Sequence, residues 1–426
     1  MRFAPLLAVF LLVPFVGWAP SEGFTLRRPA VVSGDEPHYY LIVTSILRDR
    51  DLLLGDDYLR VRRGGDEAGA GFRGNELDHH TILIDRRSGG HQLWQRVFDW
   101  RSHRKEGGFE RLQPGFEKDA IEVPAHPPAF PALVALLLAP LRPSDPEPFA
   151  IVAVALICFG TLVTMERAAV RAGFTAREAL AAVLLTGVAS SLLPYARSFF
   201  SEPAIGLALI GALWALVAGK PALCGALCFA AAAVKPPFGL VALGWSALRF
   251  REGRRADAQR LLFTFAAGWP AIVVFNLLLA HTPLISGTSG FEPAKGLGEL
   301  GDLFFGDAHG VFTFVPWAAA GFFVAARAAV RGERGLLRDL AWGAAPVLLV
   351  LAAADVEAGG FCYGPRYFVP FLPWLALATV VAWRSSTRGW RVAVAALVVA
   401  GALIAIAGAV RYRDLFDRPV VAAFRR

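Results

Sequence analysis

Residues 391–410, RVAVAALVVAGALIAIAGAV, form a continuous run of small and aliphatic residues in which only the first is charged. Roughly 20 such residues are what an α-helix needs to cross the hydrocarbon core of a bilayer. Comparable segments, some of them shorter or broken by proline, recur at 4–19, 148–165, 178–194, 203–218, 221–234, 236–249, 261–281, 311–330, 339–354 and 367–384. We therefore predict an all-α membrane protein with about 11 transmembrane helices, between roughly 9 and 13.

The composition of the whole chain agrees with this prediction. Of the 426 residues, 55% are apolar and 18% are charged, and the formal net charge is +8. Most Lys and Arg of the short loops fall in those that the positive-inside rule assigns to the cytoplasm, namely 166–178, 219–221, 249–260, 327–338 and 384–391. The short loops on the other side carry only Arg197, Lys235, Lys295 and Arg366. This bias explains the net charge, so we expect no nucleic-acid partner.

Four parts follow one another along the chain. We predict a transmembrane anchor helix at 1–19, an extracytoplasmic loop with juxtamembrane helices at 20–147, a transmembrane bundle at 148–412 and a tail at 413–426. An anchor is preferred over a cleaved signal peptide because Pro20 would directly follow the cut bond, which makes a poor cleavage site.

Proline interrupts two of the apolar segments. Segment 128–142 contains Pro128, Pro131 and Pro140, and we place it along the membrane surface rather than across it. If it does cross, the orientation of every later helix inverts. The Pro-Pro pair at 236–237 predicts that 221–249 is a broken or re-entrant pair of helices.

The long outer loop is expected to begin at the membrane surface. Residues 39–54 mix apolar side chains with Arg and Asp, which predicts an amphipathic helix lying in the interface, followed by a turn at Gly55. The middle of the loop, around 62–74, is rich in glycine and charge and is expected to be irregular.

The acidic motif Gly34-Asp35-Glu36-Pro37-His38-Tyr39 lies at the head of this loop. Ionisable residues beside a bilayer are costly to hold and are candidates for function. We predict that Asp35 or Glu36 is a catalytic base. Two alternatives stay open: Asp35 caps a helix that begins near Pro37, or the two carboxylates hold a divalent cation.

Further polar residues reach the same side of the membrane in this topology. We predict that they bind substrate: His38, His126, Arg197, Glu202, Lys235, His309, Arg366 and Tyr367. For Glu202 the alternative is a carboxylate favoured only by a helix N-terminus. Arg and Lys form strong hydrogen bonds with phosphate, and one carboxylate suffices to activate an acceptor hydroxyl when phosphate is the leaving group. This combination suits a sugar donor carried on a polyprenyl phosphate.

The histidines and cysteines indicate no dedicated metal or disulfide site. The spacing of Asp78-His79-His80 and His91 matches no standard zinc motif, and solvated loop histidines are the commoner case. Three of the four cysteines fall in predicted spans, so no disulfide framework is expected. Apart from the divalent cation left open above, we predict no cofactor.

Short motifs follow one another in a characteristic order: GDEPHY at 34–39, HPP at 126–128, YARS at 195–198, SEP at 201–203, LFF at 303–305, HGV at 309–311 and GPRYFVP at 364–370. In this order and spacing the chain resembles the GT-C superfamily of polytopic glycosyltransferases. The resemblance is to the bacterial polyprenyl-phosphate-dependent group related to protein mannosyltransferases and the lipid A aminoarabinose transferase.

The resemblance implies an enzyme of the bacterial inner membrane, surrounded by lipid, with its active site on the extracytoplasmic face. It would transfer a sugar from a polyprenyl-phosphate donor to an acceptor with inversion at the anomeric carbon. Asp35 matches the catalytic acidic position, and Arg197, Lys235 and Arg366 match donor contacts. The first loop is longer and more charged than the family pattern, so a glycan, lipid or protein acceptor stays open. The alternatives are a transporter or flippase and a non-catalytic GT-C-like scaffold.

Overall fold

The computed structural model describes residues 3–19, 23–31, 34–62, 79–85, 91–96, 120–281, 296–353, 362–415 and 418–424. In these ranges the protein is mostly helical. The α-helices are α1 (Ala4–Leu12), α2 (Glu36–Arg48), α3 (Gly55–Arg62), α4 (Ala129–Leu138), α5 (Glu147–Arg171), α6 (Ala176–Val188), α7 (Leu192–Tyr195), α8 (Glu202–Val217), α9 (Pro221–Val234), α10 (Val241–Arg251), α11 (Arg255–Ala267), α12 (Trp269–Ala280), α13 (Gly296–Phe305), α14 (Val311–Phe314), α15 (Ala318–Val330), α16 (Leu336–Ala353), α17 (Leu372–Arg384) and α18 (Arg388–Val410). The strands are β1 (Val16–Ala19), β2 (Gly23–Leu26), β3 (His79–Asp85), β4 (His91–Arg96) and β5 (Ala120–Pro124).

The chain forms two compact units. The first, here called the bundle unit, comprises Met1–Arg28, Val152–Trp269 and Ser289–Arg426. The second, the loop unit, comprises Pro29–Ile151 and Pro270–Thr288.

Several helical segments are long and apolar enough to cross a membrane. Among the described residues, five meet both criteria: Glu147–Arg171, Arg255–Ala280, Leu336–Ala353, Arg366–Arg384 and Arg388–Val410. Further apolar helices of 10–17 residues are Ala4–Phe15, Ala129–Leu138, Glu202–Val217, Pro221–Val234 and Ala318–Val330. The structure is therefore compatible with a multi-pass membrane protein that has five candidate spanning helices.

The first apolar segment is not one continuous helix. Helix α1 ends at Leu12, a 3-10 turn covers Val13–Phe15, and β1 then pairs antiparallel with β2. Pro14 explains the end of the helix, because proline lacks a backbone N–H and clashes with the carbonyl of the preceding turn. The prediction of a single helix over 4–19 is wrong in this respect.

The loop unit contains a three-stranded antiparallel sheet, in the order β4-β3-β5, which the sequence analysis did not predict. Ile82 lies opposite Val123 and Ile84 opposite Ile121, and all four side chains are buried. Alternation with a period of two places these β-branched residues on one face, which is what a half-buried strand requires. The fold is therefore not purely α-helical. Residues 63–78, which include most of the charged and glycine-rich stretch, lie outside the described residues.

Helix α2 is present where an amphipathic helix was predicted, but its exposure differs. Residues 36–45 are all buried, and exposed side chains begin only at Arg48. The buried residues include the polar side chains of Glu36, His38, Thr44 and Ser45. Gly55 starts helix α3 instead of forming a turn.

The Pro-Pro pair behaves as the sequence predicted, whereas the placement of 128–142 along the membrane surface stays a prediction. Helix α9 ends at Val234, a 3-10 turn covers Pro236–Leu240, and α10 begins at Val241, so the Pro-Pro pair does break the helix. Helix α4 has 10 residues, which corresponds to about 15 Å, or half the thickness of the hydrocarbon core.

Small residues allow close helix packing in the bundle unit. A Cβ at Gly244 on α10 would lie 2.0 Å from the carbonyl oxygen of Trp342 on α16. Next to it, the Trp245 indole Nε1–H donates to the Asp339 carbonyl at 2.7 Å. Glycine at such contacts lets two backbones approach, which is the usual packing mode of helices in membranes.

Candidate functional site

The acidic motif adopts a defined geometry at the start of α2. Gly34 has a φ of +63°, a left-handed conformation that residues with a Cβ adopt only with strain. Asp35 occupies the N-cap position, yet its side chain makes no capping hydrogen bond. The position predicted for a cap is thus correct, whereas the capping interaction itself is missing.

The Asp35 carboxylate faces a histidine. His126 Nδ1 lies 3.8 Å from Asp35 Oδ2, and the two side chains are 16% and 23% exposed. The His126 ring stacks on His38 at 5.3 Å between centroids and contacts Tyr39 edge-on at the same distance. These contacts hold a carboxylate and an imidazole side by side, and both remain partly exposed.

Glu36 differs sharply from its neighbour, because it is completely buried. A base that takes a proton from a bound substrate must come within hydrogen-bonding reach of that substrate. As the general base, the partly exposed Asp35 is therefore favoured over Glu36.

A hydrogen bond anchors this group to helix α3. His38 Nδ1 and the Tyr58 hydroxyl are 2.5 Å apart, and both residues are buried. Since His38 also stacks on His126, helix α3 is connected to the imidazole that faces Asp35.

Helix α3 also carries an ionic cluster that the sequence analysis did not single out. The Arg60 guanidinium bonds Asp49 Oδ2 at 2.6 Å, Asp57 Oδ1 at 3.1 Å and the carboxylate of Asp56. Burial raises the pKa of Asp57 to about 7, and the negative charge of Asp56 adds to the shift. The signal in the sequence was the spacing of Asp56 and Asp57, which lie four and three residues before Arg60.

The bundle unit contains an ion cluster built from separate helix ends. Glu202, the first residue of α8, is fully buried, and its Oε1 accepts from Arg366 Nε at 2.6 Å and from the Lys235 ammonium. Lys235 lies at the break between α9 and the turn Pro236–Leu240, and Arg366 begins the 3-10 turn before α17.

Aromatic rings complete the surroundings of these charges. The Arg366 guanidinium lies over the Phe200 ring at 4.5 Å, and the Lys235 ammonium lies over Tyr367 at 5.4 Å. Two cations and one carboxylate leave a formal charge of +1 on the cluster. A net positive site of this kind suits an anionic group, although buried ion pairs also occur as purely structural elements.

Arg197 has other partners in the bundle unit. Its Nη1 donates to the carbonyl oxygens of Val16 at 2.7 Å and Ala409 at 2.5 Å, and the guanidinium lies 5.8 Å from the Tyr412 ring centroid. The arginine thus ties strand β1 to the end of α18. Binding of substrate by Arg197 stays a prediction, and so does binding of substrate by the buried His309.

The structure groups the sequence-predicted residues within each unit. In the loop unit it brings together Asp35, Glu36, His38 and His126. In the bundle unit it brings together Glu202, Lys235, Arg366 and Tyr367. Asp78 and the side chains of His79, His80 and His91 lie outside the described residues. Among the residues that are described, no group of three or more His, Cys, Asp or Glu has a geometry suited to a metal ion.

No family model, curated protein or solved structure matches this chain. The resemblance that its motifs suggest therefore stays a prediction.

Proposed function

We propose that this chain is an integral-membrane glycosyltransferase that moves a sugar from a polyprenyl-phosphate donor to an extracytoplasmic acceptor with inversion. The observation that carries the proposal is the state of Asp35. Its carboxylate is partly exposed at the start of α2 and lies 3.8 Å from His126.

Asp35 is the general base in this mechanism. It takes the proton of the acceptor hydroxyl as the hydroxyl oxygen attacks the anomeric carbon. The bond between that carbon and the phosphate oxygen breaks, and the phosphate leaves with the electron pair. A single displacement of this kind inverts the anomeric configuration. His126, beside the carboxylate, orients it and supports its negative charge.

Lys235 and Arg366 are the proposed contacts of the donor phosphate. Their cluster with Glu202 carries a formal charge of +1, and cations on the departing phosphate stabilise the charge that develops in the transition state. The apolar helices give the prenyl chain a lipid environment, which is why such a site belongs at a membrane surface.

The proposed topology has about 11 spans in the bacterial inner membrane. It counts the five long apolar helices together with the shorter ones and orients them by the bias of Lys and Arg between the two sets of short loops. In this topology Asp35, Lys235 and Arg366 all belong to segments on the extracytoplasmic side.

The test is sugar release from radiolabelled polyprenyl-phosphate donors in membranes that carry the wild type, Asp35→Asn or Glu36→Gln. Asp257→Asn, on the exposed Arg254–Asp257 pair of α11, is the matched control for loss of a carboxylate. We expect turnover by the wild type and the control and none by Asp35→Asn at equal protein level. Equal turnover by Asp35→Asn would remove this residue from catalysis.

A transporter or flippase is the second candidate, because one observation favours it. The helix break after Val234 places Lys235 in a buried ion cluster, and broken helices with ionisable residues are typical of transporter binding sites. Movement of a fluorescent polyprenyl-phosphate sugar across proteoliposomes tests it. Transport that Asp35→Asn leaves intact, without sugar transfer, would favour this function over the first.

A further inference from the structure

Two buried polar atoms near Arg366 have no hydrogen-bond partner among the described residues. They are Oε2 of Glu202, whose other oxygen is occupied by Lys235 and Arg366, and the hydroxyl of Tyr195. Both residues are completely buried. Unsatisfied buried groups are rare in native proteins, and a bound molecule is one of their few explanations.

The two atoms belong to one neighbourhood. The Tyr195 ring contacts Phe200 at 5.8 Å between centroids, and the same Phe200 ring carries the Arg366 guanidinium that bonds Glu202. Burial raises the pKa of Tyr195 well above its ordinary value, and the nearby Cys362 and Glu202 add to the shift. The Tyr195 hydroxyl, which lies outside the predicted spans, therefore stays protonated and can donate a hydrogen bond.

The chemistry of these atoms limits what can satisfy them. Glu202 Oε2 only accepts a hydrogen bond, whereas the Tyr195 hydroxyl can donate one. A fully ionised phosphate oxygen has no proton for the carboxylate, and an ammonium group would be repelled by Lys235 and Arg366. A neutral hydroxyl group both donates and accepts, so one that lies between the two residues would accept from Tyr195 and donate to Glu202 Oε2.

We propose that Tyr195 and Glu202 bind one hydroxyl group of the donor sugar, and that Tyr195 thereby determines which sugar is accepted. This inference rests on the proposed function, and it assigns a specificity role to a residue outside the predicted site. Lys235 recognises the phosphate that every donor shares, while Tyr195 recognises the sugar that differs between donors.

Tyr195→Phe is the decisive variant, because it removes only the hydroxyl and keeps the ring on Phe200. Tyr363→Phe is its matched control: that hydroxyl is also buried but donates to the Ile404 carbonyl at 3.1 Å. Without ligand, the thermal stability of Tyr195→Phe should equal or exceed that of the wild type, since an unsatisfied group is removed. Tyr363→Phe, which loses a formed hydrogen bond, should be less stable.

Binding is then measured with purified full-length protein in nanodiscs. The probes are polyprenyl phosphate carrying mannose, glucose or arabinose, and bare polyprenyl phosphate. Tyr195→Phe should bind at least one sugar-bearing lipid about tenfold more weakly than the wild type does, with unchanged affinity for the bare lipid. Lys235→Met should weaken binding of all four lipids.

Three results would overturn the inference: unchanged affinity of Tyr195→Phe for every lipid, equal loss for bare and sugar-bearing lipids, or no binding by the wild type. The outcome is separate from that of the proposed function. Sugar-dependent binding through Tyr195 without any turnover would refute the transferase and keep the site. Turnover that depends on Asp35, together with binding that Tyr195→Phe leaves unchanged, would support the transferase and refute the sugar-binding role of Tyr195.

Discussion

Replacing Glu202 by glutamine should destabilise the bundle unit strongly. The carboxylate is completely buried and accepts from Arg366 Nε at 2.6 Å and from Lys235. An amide of the same size keeps the volume but removes the negative charge, so two cations remain in the interior with no compensating charge. Removing one partner of a buried ion pair costs about 3–5 kcal/mol, and we expect a loss of this size in the free energy of unfolding.

The assay is unfolding in detergent, followed by tryptophan fluorescence, with Asp257→Asn as the control. Asp257 pairs with the exposed Arg254, and surface pairs contribute only about 0–1 kcal/mol. A second arm uses the double variant Glu202→Gln/Lys235→Met. Since it removes one of the uncompensated cations, it should be more stable than Glu202→Gln alone.

Two results would refute this reasoning. If Glu202→Gln is as stable as the Asp257→Asn control, the carboxylate does not compensate the two cations. If the double variant is no more stable than the single one, the uncompensated charge of Lys235 does not cause the loss of stability in Glu202→Gln.

Three further predictions concern other parts of the chain. Because the folded pKa of Asp57 is about 7 against an ordinary value of 3.8, the unfolded chain ionises first as pH rises. Stability should therefore fall between about pH 4 and pH 7, by at most about 4 kcal/mol; a melting temperature that is less dependent on pH in Asp57→Asn than in the wild type would confirm it. Gly244→Ala should cost at least about 1–3 kcal/mol through the clash with the Trp342 carbonyl, measured by the same unfolding assay. Gly34→Ala should cost about 1 kcal/mol at its φ of +63° and lower sugar transfer by displacing Asp35; unchanged transfer would contradict the link between the two residues.

Local sequence rules predicted the features that depend only on neighbouring residues. Long apolar runs predicted helices such as α5 and α18, because about 20 consecutive apolar residues are what a helix needs to cross a bilayer. The Pro236-Pro237 pair predicted the break before α10, since proline removes a backbone donor wherever it stands. Asp35 before Pro37 predicted the start of α2 for the same kind of local reason.

Local rules failed where distant segments pair. Strand β5 pairs with β3 although the two are far apart in the chain, and the pairing of Ile84 with Ile121 is what buries both side chains. Neither strand is stable without its partner. The local sequence, with charged residues and glycine between the strands, therefore did not predict this sheet.

The sequence by itself determined which segments are apolar, where prolines break them and which charged residues stand near helix ends. Only the tertiary structure decided what those charges contact. Arg197, Lys235 and Arg366 are equivalent as cations in short outer loops, yet Arg197 bonds backbone carbonyls while the other two share the Glu202 carboxylate. Asp35 and Glu36 are adjacent carboxylates, yet only Asp35 is exposed. The physical reason is that burial and partners depend on segments distant in the chain, whereas hydrophobicity and backbone preference belong to each residue alone.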